Sequence, residues 1–374
     1  MGKKKGKATL RKTIAWLHLW PSLVSALFII FIALTGTIIV YADEIINLAN
    51  DEVLHVETVG DQKLTFEELL QAFKKEFPNR NPNYANTYKD PSRSVKINSF
   101  DREKGLRLIY MNPYTGEVMK DDGTIHFFYT MAHLHAMFNW HGPGEWIVAI
   151  FTIVFFIELL AGLYLWWPKK WNKSGRRASF SIRWKAKTKW INYDLHNVVG
   201  FYSLVFTLIL TTTGLIIAFK PIAHFTINTF GGDADHVWES SLPVSDSTQT
   251  ALDLFPIVDN YFEQEPWAEV AQVSTYKVNE QGFYMFSLSN MVGLKSRDGN
   301  YPVFVNKYSG KNLNPPESAL LHENIENTYW SLHMGTWMGQ LGKLLTFLGG
   351  IIATSLPITG FFIWWNKRKK PSYN

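Results

Sequence analysis

Four stretches of this chain are each apolar enough, and long enough, to cross a lipid bilayer as a helix, which takes about 20 residues. They run from Ile14 to Ala42, Trp146 to Trp167, His196 to Phe219 and Lys343 to Trp365. Composition fits such a chain: 47% of its 374 residues are hydrophobic and only 18% are charged. A mean hydropathy of −0.07 shows that a large part of it is nevertheless water-exposed.

Charge distribution gives the orientation. Six Lys or Arg precede the first span, nine lie between Lys169 and Lys189, and four follow Trp365. Asp194 is the single acid in these short segments, whereas nearly all other carboxylates lie in 43–145 and 220–342. Because Lys and Arg favour the cytoplasmic side of a membrane, both termini and the short loop are expected in the cytoplasm and both long segments outside. Topology accounts for the basic runs, so no nucleic-acid partner is expected. The first span has no small-residue cleavage site after a short core and reads as a retained signal anchor. The expected order is a basic N-terminus (1–13), span (14–42), outer domain (43–126), interfacial segment and span (127–167), basic loop (168–195), span (196–219), outer domain (220–325), interfacial segment and span (326–365) and basic tail (366–374). Two tandem halves of equal polarity predict an α-helical membrane fold, a four-helix bundle of two parallel repeats.

The outer segments also match each other. A helical pattern over Leu64–Phe73 is answered by one over Ala251–Val258, with Pro256 permissible in its first turn. Strand-like runs follow at Ser94–Ile97 and Leu106–Met111 in the first segment, and at Val270–Val273, Phe283–Phe286 and Val303–Val305 in the second. The turns Asn112–Gly116 and Asn306–Gly310 share the pattern Asn-x-Tyr-Thr/Ser-Gly. Each segment is therefore expected to be a small α+β domain with an antiparallel sheet.

Of eleven histidines, four occupy matching places in the two halves. His18 and His196 each follow a leucine and lie eighteen residues before a Thr-Gly, at Gly36 and Gly214. His135 and His333 each lie twenty-seven residues before a glycine, at Gly162 and Gly360, and each of those glycines precedes a Trp-Trp by four. A pseudo-twofold axis would face His18 with His196 on the inner side and His135 with His333 on the outer side. Paired imidazoles on rigid helices suit the two axial positions of haem iron. With no cysteine in the chain, disulfides, thiolate catalysis, iron–sulfur clusters and covalently attached haem are excluded. Two non-covalent b-type haems are the cofactors expected. His133 competes with His135 for the outer site, although two residues of spacing put them on different helix faces.

Other residues carry weaker signals. Glu158 is a carboxyl inside the second span, suited to proton uptake, quinol contact or haem tuning, or else simply hydrogen-bonded to a neighbouring helix. Gly36, Gly162, Gly214 and Gly360 allow close packing or room for a macrocycle. Trp166, Trp167, Trp364 and Trp365 read as an interfacial aromatic belt. Arg11, Lys12 and Arg183 could pair with inner haem propionates, and His126, His141, Trp140, Trp330 and Trp337 could line an outer surface. Phe28, Phe31, Phe155 and Phe206 lie between the two histidine levels.

The strand ends Tyr110–Gly116 and Val303–Gly310, following a helix and two or three strands, resemble the PepSY domain, the second with Phe304 where the first has Tyr110. With their flanking spans and matched histidines, they make nearly the whole chain similar to the PepSY-associated transmembrane family of iron-regulated inner-membrane proteins, which includes siderophore-iron reductases. The resemblance implies a bacterial inner-membrane protein with two periplasmic domains, whose four-helix core passes electrons through haem b to a ferric siderophore. No nicotinamide or flavin motif is present, so the donor is expected to be a cytoplasmic reductase or quinol. A PepSY-type sensing or protease-regulating protein, and a siderophore or iron transporter, are the alternatives; the first makes no use of the matched histidines, and the second lacks an evident polar path through the four spans apart from Glu158.

Overall fold

The computed structural model describes residues 2–368 except 169, 247 and 277. The basic tail expected over 366–374 is thus described only to Arg368, and Lys169 of the basic loop lies outside the described residues. Along the chain come α1 (Gly2–Ile39), α2 (Ala42–Leu48), α3 (Phe66–Glu76), β1 (Pro82–Tyr88), β2 (Val95–Asp101), β3 (Gly105–Met111), β4 (Val118–Asp122), α4 (Thr124–Met137) and α5 (Pro143–Trp166). Then follow α6 (Lys173–Phe180), α7 (Thr188–Asp194), a π turn (Leu195–Val199), α8 (Gly200–Ala218), α9 (Lys220–Thr229) and α10 (Leu254–Gln264). The last elements are β5 (Val270–Ser274), β6 (Phe283–Ser289), β7 (Met291–Val292), β8 (Arg297–Asp298), β9 (Tyr301–Asn306), α11 (Glu317–Met334) and α12 (Gly339–Arg368). They form two units: one from Met1–Val40, Met131–Ile222 and Gln340–Asn374, the other from Tyr41–Thr130 and Ala223–Gly339.

The first unit holds four helices long and apolar enough to cross a membrane: Thr9–Ile39, Pro143–Trp166, Thr188–Ala218 and Thr336–Arg368 (whose first residues belong to the second unit). Their large side chains are mostly exposed: Val24 is 71% accessible, Leu27 75% and Val205 63%. In water such a surface would be an aggregation hazard; in hydrocarbon it is the ordinary exterior. Small and hydroxyl residues pack inside. Buried Thr207 and Thr211 return their hydroxyls to the carbonyls of Ser203 and Thr207, which hides the polar group within the helix. Buried Gly349, Gly350 and Ala353 of α12 leave room for close approach, and Thr37 of α1 lies directly against Gly350.

The second unit is built on a seven-stranded sheet of order β4-β3-β2-β1-β5-β6-β9, antiparallel throughout. The two segments expected as separate domains each contribute one end of it. They meet where β1 pairs with β5, from Tyr84 opposite Ser274 to Tyr88 opposite Val270. Each strand would otherwise be an open edge, and each covers the other. One helix from each segment packs on the sheet. α3 starts in a reciprocal cap, Thr65 with Glu68, and buries Phe66, Leu69 and Phe73. α10 buries Leu254, Phe255, Val258 and Phe262. These side chains share one core with strand residues of both segments. Asp253 accepts from Phe255 N at the start of α10 and also from Phe66 N at the start of α3, 2.8 Å away. Phe66 meets Phe255 and Tyr284 edge to face.

At another place in this unit the His322 and His236 rings are centred 4.4 Å apart. His322 is 6% exposed; its Nδ1 lies 2.6 Å from Asp233 O and its Nε2 3.7 Å from Glu326. The bond to Glu326 is the main cause that pushes the His322 imidazole up to about 9.

Two outcomes follow. Phe66→Ala opens a cavity in the shared core and should cost about 3–5 kcal/mol, lowering one common unfolding transition of the outer unit in calorimetry of the intact protein. Two transitions, only one of them shifted, would show separate cores. Because the folded pKa of His322 lies above the unfolded value of about 6.5, its contribution is complete below that value and is lost as pH rises through about 9. Thermal stability should therefore fall between pH 7 and 9, and Glu326→Gln should flatten that slope.

Candidate functional site

His18 lies one turn before Pro21 in α1, where the missing proline N–H interrupts the helical ladder. Its ring rests against α5 at Gly162: a β-carbon there would sit 3.3 Å from His18 Cε1. Nδ1 is 3.2 Å from the carbonyl oxygen of Glu158, four residues before that glycine. That oxygen already accepts the helical N–H of Gly162, but a carbonyl has two lone pairs. Glycine leaves the helix bare at this point, and the imidazole reaches the second pair.

His196 repeats the arrangement. It stands inside the π turn between α7 and α8, the kind of irregularity often found at functional positions. The turn is braced by Asp194, 1% exposed, which takes two bonds from the Arg183 guanidinium and one from its backbone N–H. The His196 ring rests against α12 at Gly360, where a β-carbon would sit 3.3 Å from Cε1. Nδ1 is 3.1 Å from Leu356 O, again four residues before the glycine, and 2.9 Å from Thr359 Oγ1.

The two rings meet with centroids 6.3 Å apart and planes at 67°. A backbone carbonyl only accepts, so Nδ1 carries the hydrogen on both rings and Nε2 carries the free lone pair. Among the described residues neither Nε2 has a hydrogen-bond partner. Two imidazoles on opposite sides of one metal ion, each bonded at about 2 Å, have ring centres roughly 6 Å apart. The donor set and spacing therefore fit a bis-histidine haem iron, with both rings held by their outer nitrogens in the way metal-bound histidines are held.

His135 uses the same device a third time. Near the end of α4, its ring lies against Gly36 of α1, where a β-carbon would come within 2.7 Å of Cε1, and Nδ1 is 2.8 Å from Ile32 O, once more four residues earlier. His133, two residues away, instead has its ring 6.0 Å from that of His141. His333 lies in the last turn of α11, in the second unit.

Other expected residues find different roles. Arg183 is committed to Asp194 at 2.7 and 2.8 Å, so it is a helix brace and not a free propionate partner. Arg11 donates to Leu165 O. Trp166 is no belt residue: it is 8% exposed, stacks on Phe201 at 3.6 Å and bonds Ser179 O. Trp167 and Trp365 are exposed, as a belt requires. His126 accepts from Leu106 N, a structural contact within the outer unit. Trp140 and Trp337 are exposed, His141 pairs with Glu145, and Trp330 lies under Lys295. Phe28 stacks on Phe151 at 4.0 Å, and Phe28 and Phe31 both contact Phe138. Phe206 faces Gly349.

Two features had no readable signal. Ser22 Oγ bonds both His18 O and Glu158 Oε2, and Glu158 Oε2 lies 3.4 Å from His18 Nδ1. Thr359 is the second partner of His196. Neither residue type nor spacing distinguishes them from other hydroxyls in the spans.

No curated protein matches the chain. The model of one family, described as the PepSY-associated TM region, matches residues 15–367. With nearly its whole length so matched, and four membrane-spanning helices beside a β-sheet unit, the chain belongs to the PepSY-associated transmembrane family.

Proposed function

We propose that this protein is a membrane oxidoreductase that carries electrons across the bacterial inner membrane through two non-covalent b-type haems and reduces ferric-siderophore iron to Fe(II) on the periplasmic side. The observation that carries this reading is the meeting of His18 and His196, each with Nδ1 committed to a helix carbonyl and Nε2 uncommitted. A packing role for these histidines has no use for two free Nε2 lone pairs inside a membrane, where an unsatisfied polar group is costly.

His18 and His196 would hold the inner haem, and His135 with His333 the outer one. Bound haem would supply the reversible one-electron chemistry of its iron. The protein's part is to set the imidazoles, exclude water and position the substrate. Gly162, Gly360 and Gly36 set three rings by leaving the helix surface open. The apolar spans keep water out. Both termini and the basic 168–195 loop would face the cytoplasm, where a reductase or quinol delivers electrons, and the sheet unit would face the periplasm. The ferric ion gains one electron there, and as Fe(II) is held less tightly by hard oxygen donors. The repeat supports two parallel halves related by an axis along the membrane normal: both inner histidines rest on glycines at 3.3 Å, each within its own half.

Purified protein should show a Soret band and, by pyridine haemochrome, about two haems per chain. His18→Ala or His196→Ala should remove one of them. Protein with no Soret band would sink the reading and favour a sensing or regulatory role. The glycine seats predict a graded effect. A β-carbon at Gly36 would clash with His135 at 2.7 Å, whereas one at Gly162 is merely tight against His18 at 3.3 Å, and one at Gly349 meets Leu210 at an ordinary 3.5 Å. Haem content should therefore fall most in Gly36→Ala, less in Gly162→Ala and not at all in Gly349→Ala.

A further inference from the structure

The two halves seat the inner histidines on the same glycine-and-carbonyl device, and for that reason the side chains in which they differ are informative. The carbonyl acceptors, Glu158 O and Leu356 O, stand at matching places, yet one residue ends in a carboxyl and the other in a branched hydrocarbon. Their neighbours change with them. In the first half Ser22 Oγ bonds Glu158 Oε2. In the second half the matching neighbour is Gly200, and a β-carbon there would sit 3.2 Å from Leu356 Cδ2. Serine would crowd the leucine; glycine would leave the carboxyl without its hydroxyl. The pairs Ser22–Glu158 and Gly200–Leu356 are thus two matched solutions for one position.

Glu158 is a costly solution. It is 7% exposed within a membrane span, and its Oε1 has no hydrogen-bond partner among the described residues. A buried carboxyl with an orphan oxygen opposes folding. Seating the histidine does not require a carboxyl, because His196 is seated by the Leu356 carbonyl and the Thr359 hydroxyl. What Glu158 adds is a second acceptor, Oε2, at 3.4 Å from His18 Nδ1, beyond the carbonyl oxygen at 3.2 Å.

We propose that Glu158, held by Ser22, is a positioning residue that makes the two inner histidines unequal, so that His18 is the stronger electron donor of the pair and the reduction potential of the group they hold is lowered. The inference rests on the haem reading above. A carboxyl on the outer nitrogen of a metal-bound imidazole raises its basicity, and a more basic ligand favours the more highly charged ferric state. A carbonyl-type oxygen, carboxyl or amide, suffices for this, whereas the Thr359 hydroxyl beside His196 Nδ1, which gives its hydrogen to Ser355 O and Leu356 O, is the weaker acceptor.

Spectroelectrochemical titration of the purified, haem-loaded protein tests it. Ser22→Gly with Glu158→Leu installs the second half's own pair in the first half, so packing is preserved while the acceptor is lost. One of the two haem components should move to a more positive midpoint by about 59 mV, a tenfold change in the oxidised-to-reduced ratio at fixed potential for one electron. The other component should stay in place. Glu158→Gln, which keeps an acceptor oxygen, should leave both near the parent values. Should the double variant lose haem, Glu158→Met, of similar length but without the acceptor, takes its place and should give the same positive shift. Haem present with unmoved midpoints in the Leu/Gly and Met variants would overturn this inference and leave the haem reading standing. Parent protein with no haem would overturn both.

Discussion

An imidazole N–H bonded to a helix carbonyl, where a glycine has left that helix bare, is the contact on which the membrane unit depends. It needs three things together: a carbonyl with a lone pair to spare, a residue four places on with no side chain, and a histidine whose helix passes at the right height. The structure meets the requirement at Gly162, Gly360 and Gly36. In hydrocarbon a polar ring has few alternatives, since an unsatisfied N–H costs several kcal/mol. The bond therefore locks both the ring orientation and the tautomer, and the inner rings come to 6.3 Å of each other with their remaining nitrogens unspent.

The contact also disciplines its surroundings. His196 stands within a π turn, and His18 lies three residues before Pro21, whose missing N–H leaves one bond of α1 unmade. An irregular turn in a span has to be braced, and Asp194 with Arg183 braces the π turn through three bonds. The outer unit solves a different problem. Its two segments would each present an open strand, and the pairing of β1 with β5 closes both edges while fusing the two helix layers into one core. That fusion places both segments in a single cooperative body, whatever they bind.

Much of this was legible in the sequence, because spans, charge bias and matched histidines are one-dimensional patterns. The spans foreseen at 14–42 and 146–167 overlap helices at Thr9–Ile39 and Pro143–Trp166, running a few residues past their ends. The glycines, too, could be picked out by their spacing, although their use as seats could not, since the partner is a carbonyl that every residue has. β1 gave no strand signal: Pro82, Asn83 and Asn86 are poor strand formers, and its place comes from being paired on both sides. Trp166 and Trp167 are the same residue type side by side, and the folded neighbours Ser179, Phe180 and Phe201 make the first a core residue. Arg183 likewise read as a free cation until Asp194, eleven residues on, was folded back against it.

Duplication hands both halves of a chain the same parts, and side chains can then diverge wherever the shared backbone contacts do not depend on them. The inner pair of this protein shares the glycine and the carbonyl four residues earlier in both halves, while Thr359 adds a hydroxyl to His196 where the first half has Ala161. Its asymmetry is confined to the side chains of the two acceptor residues and their neighbours. A change there leaves the backbone bond intact and alters only what stands beside it. A polar pair in one half and an apolar pair in the other can thus diverge without disturbing the seat, and Glu158, buried in a span with Oε1 unpartnered among the described residues, is the costlier of the two choices.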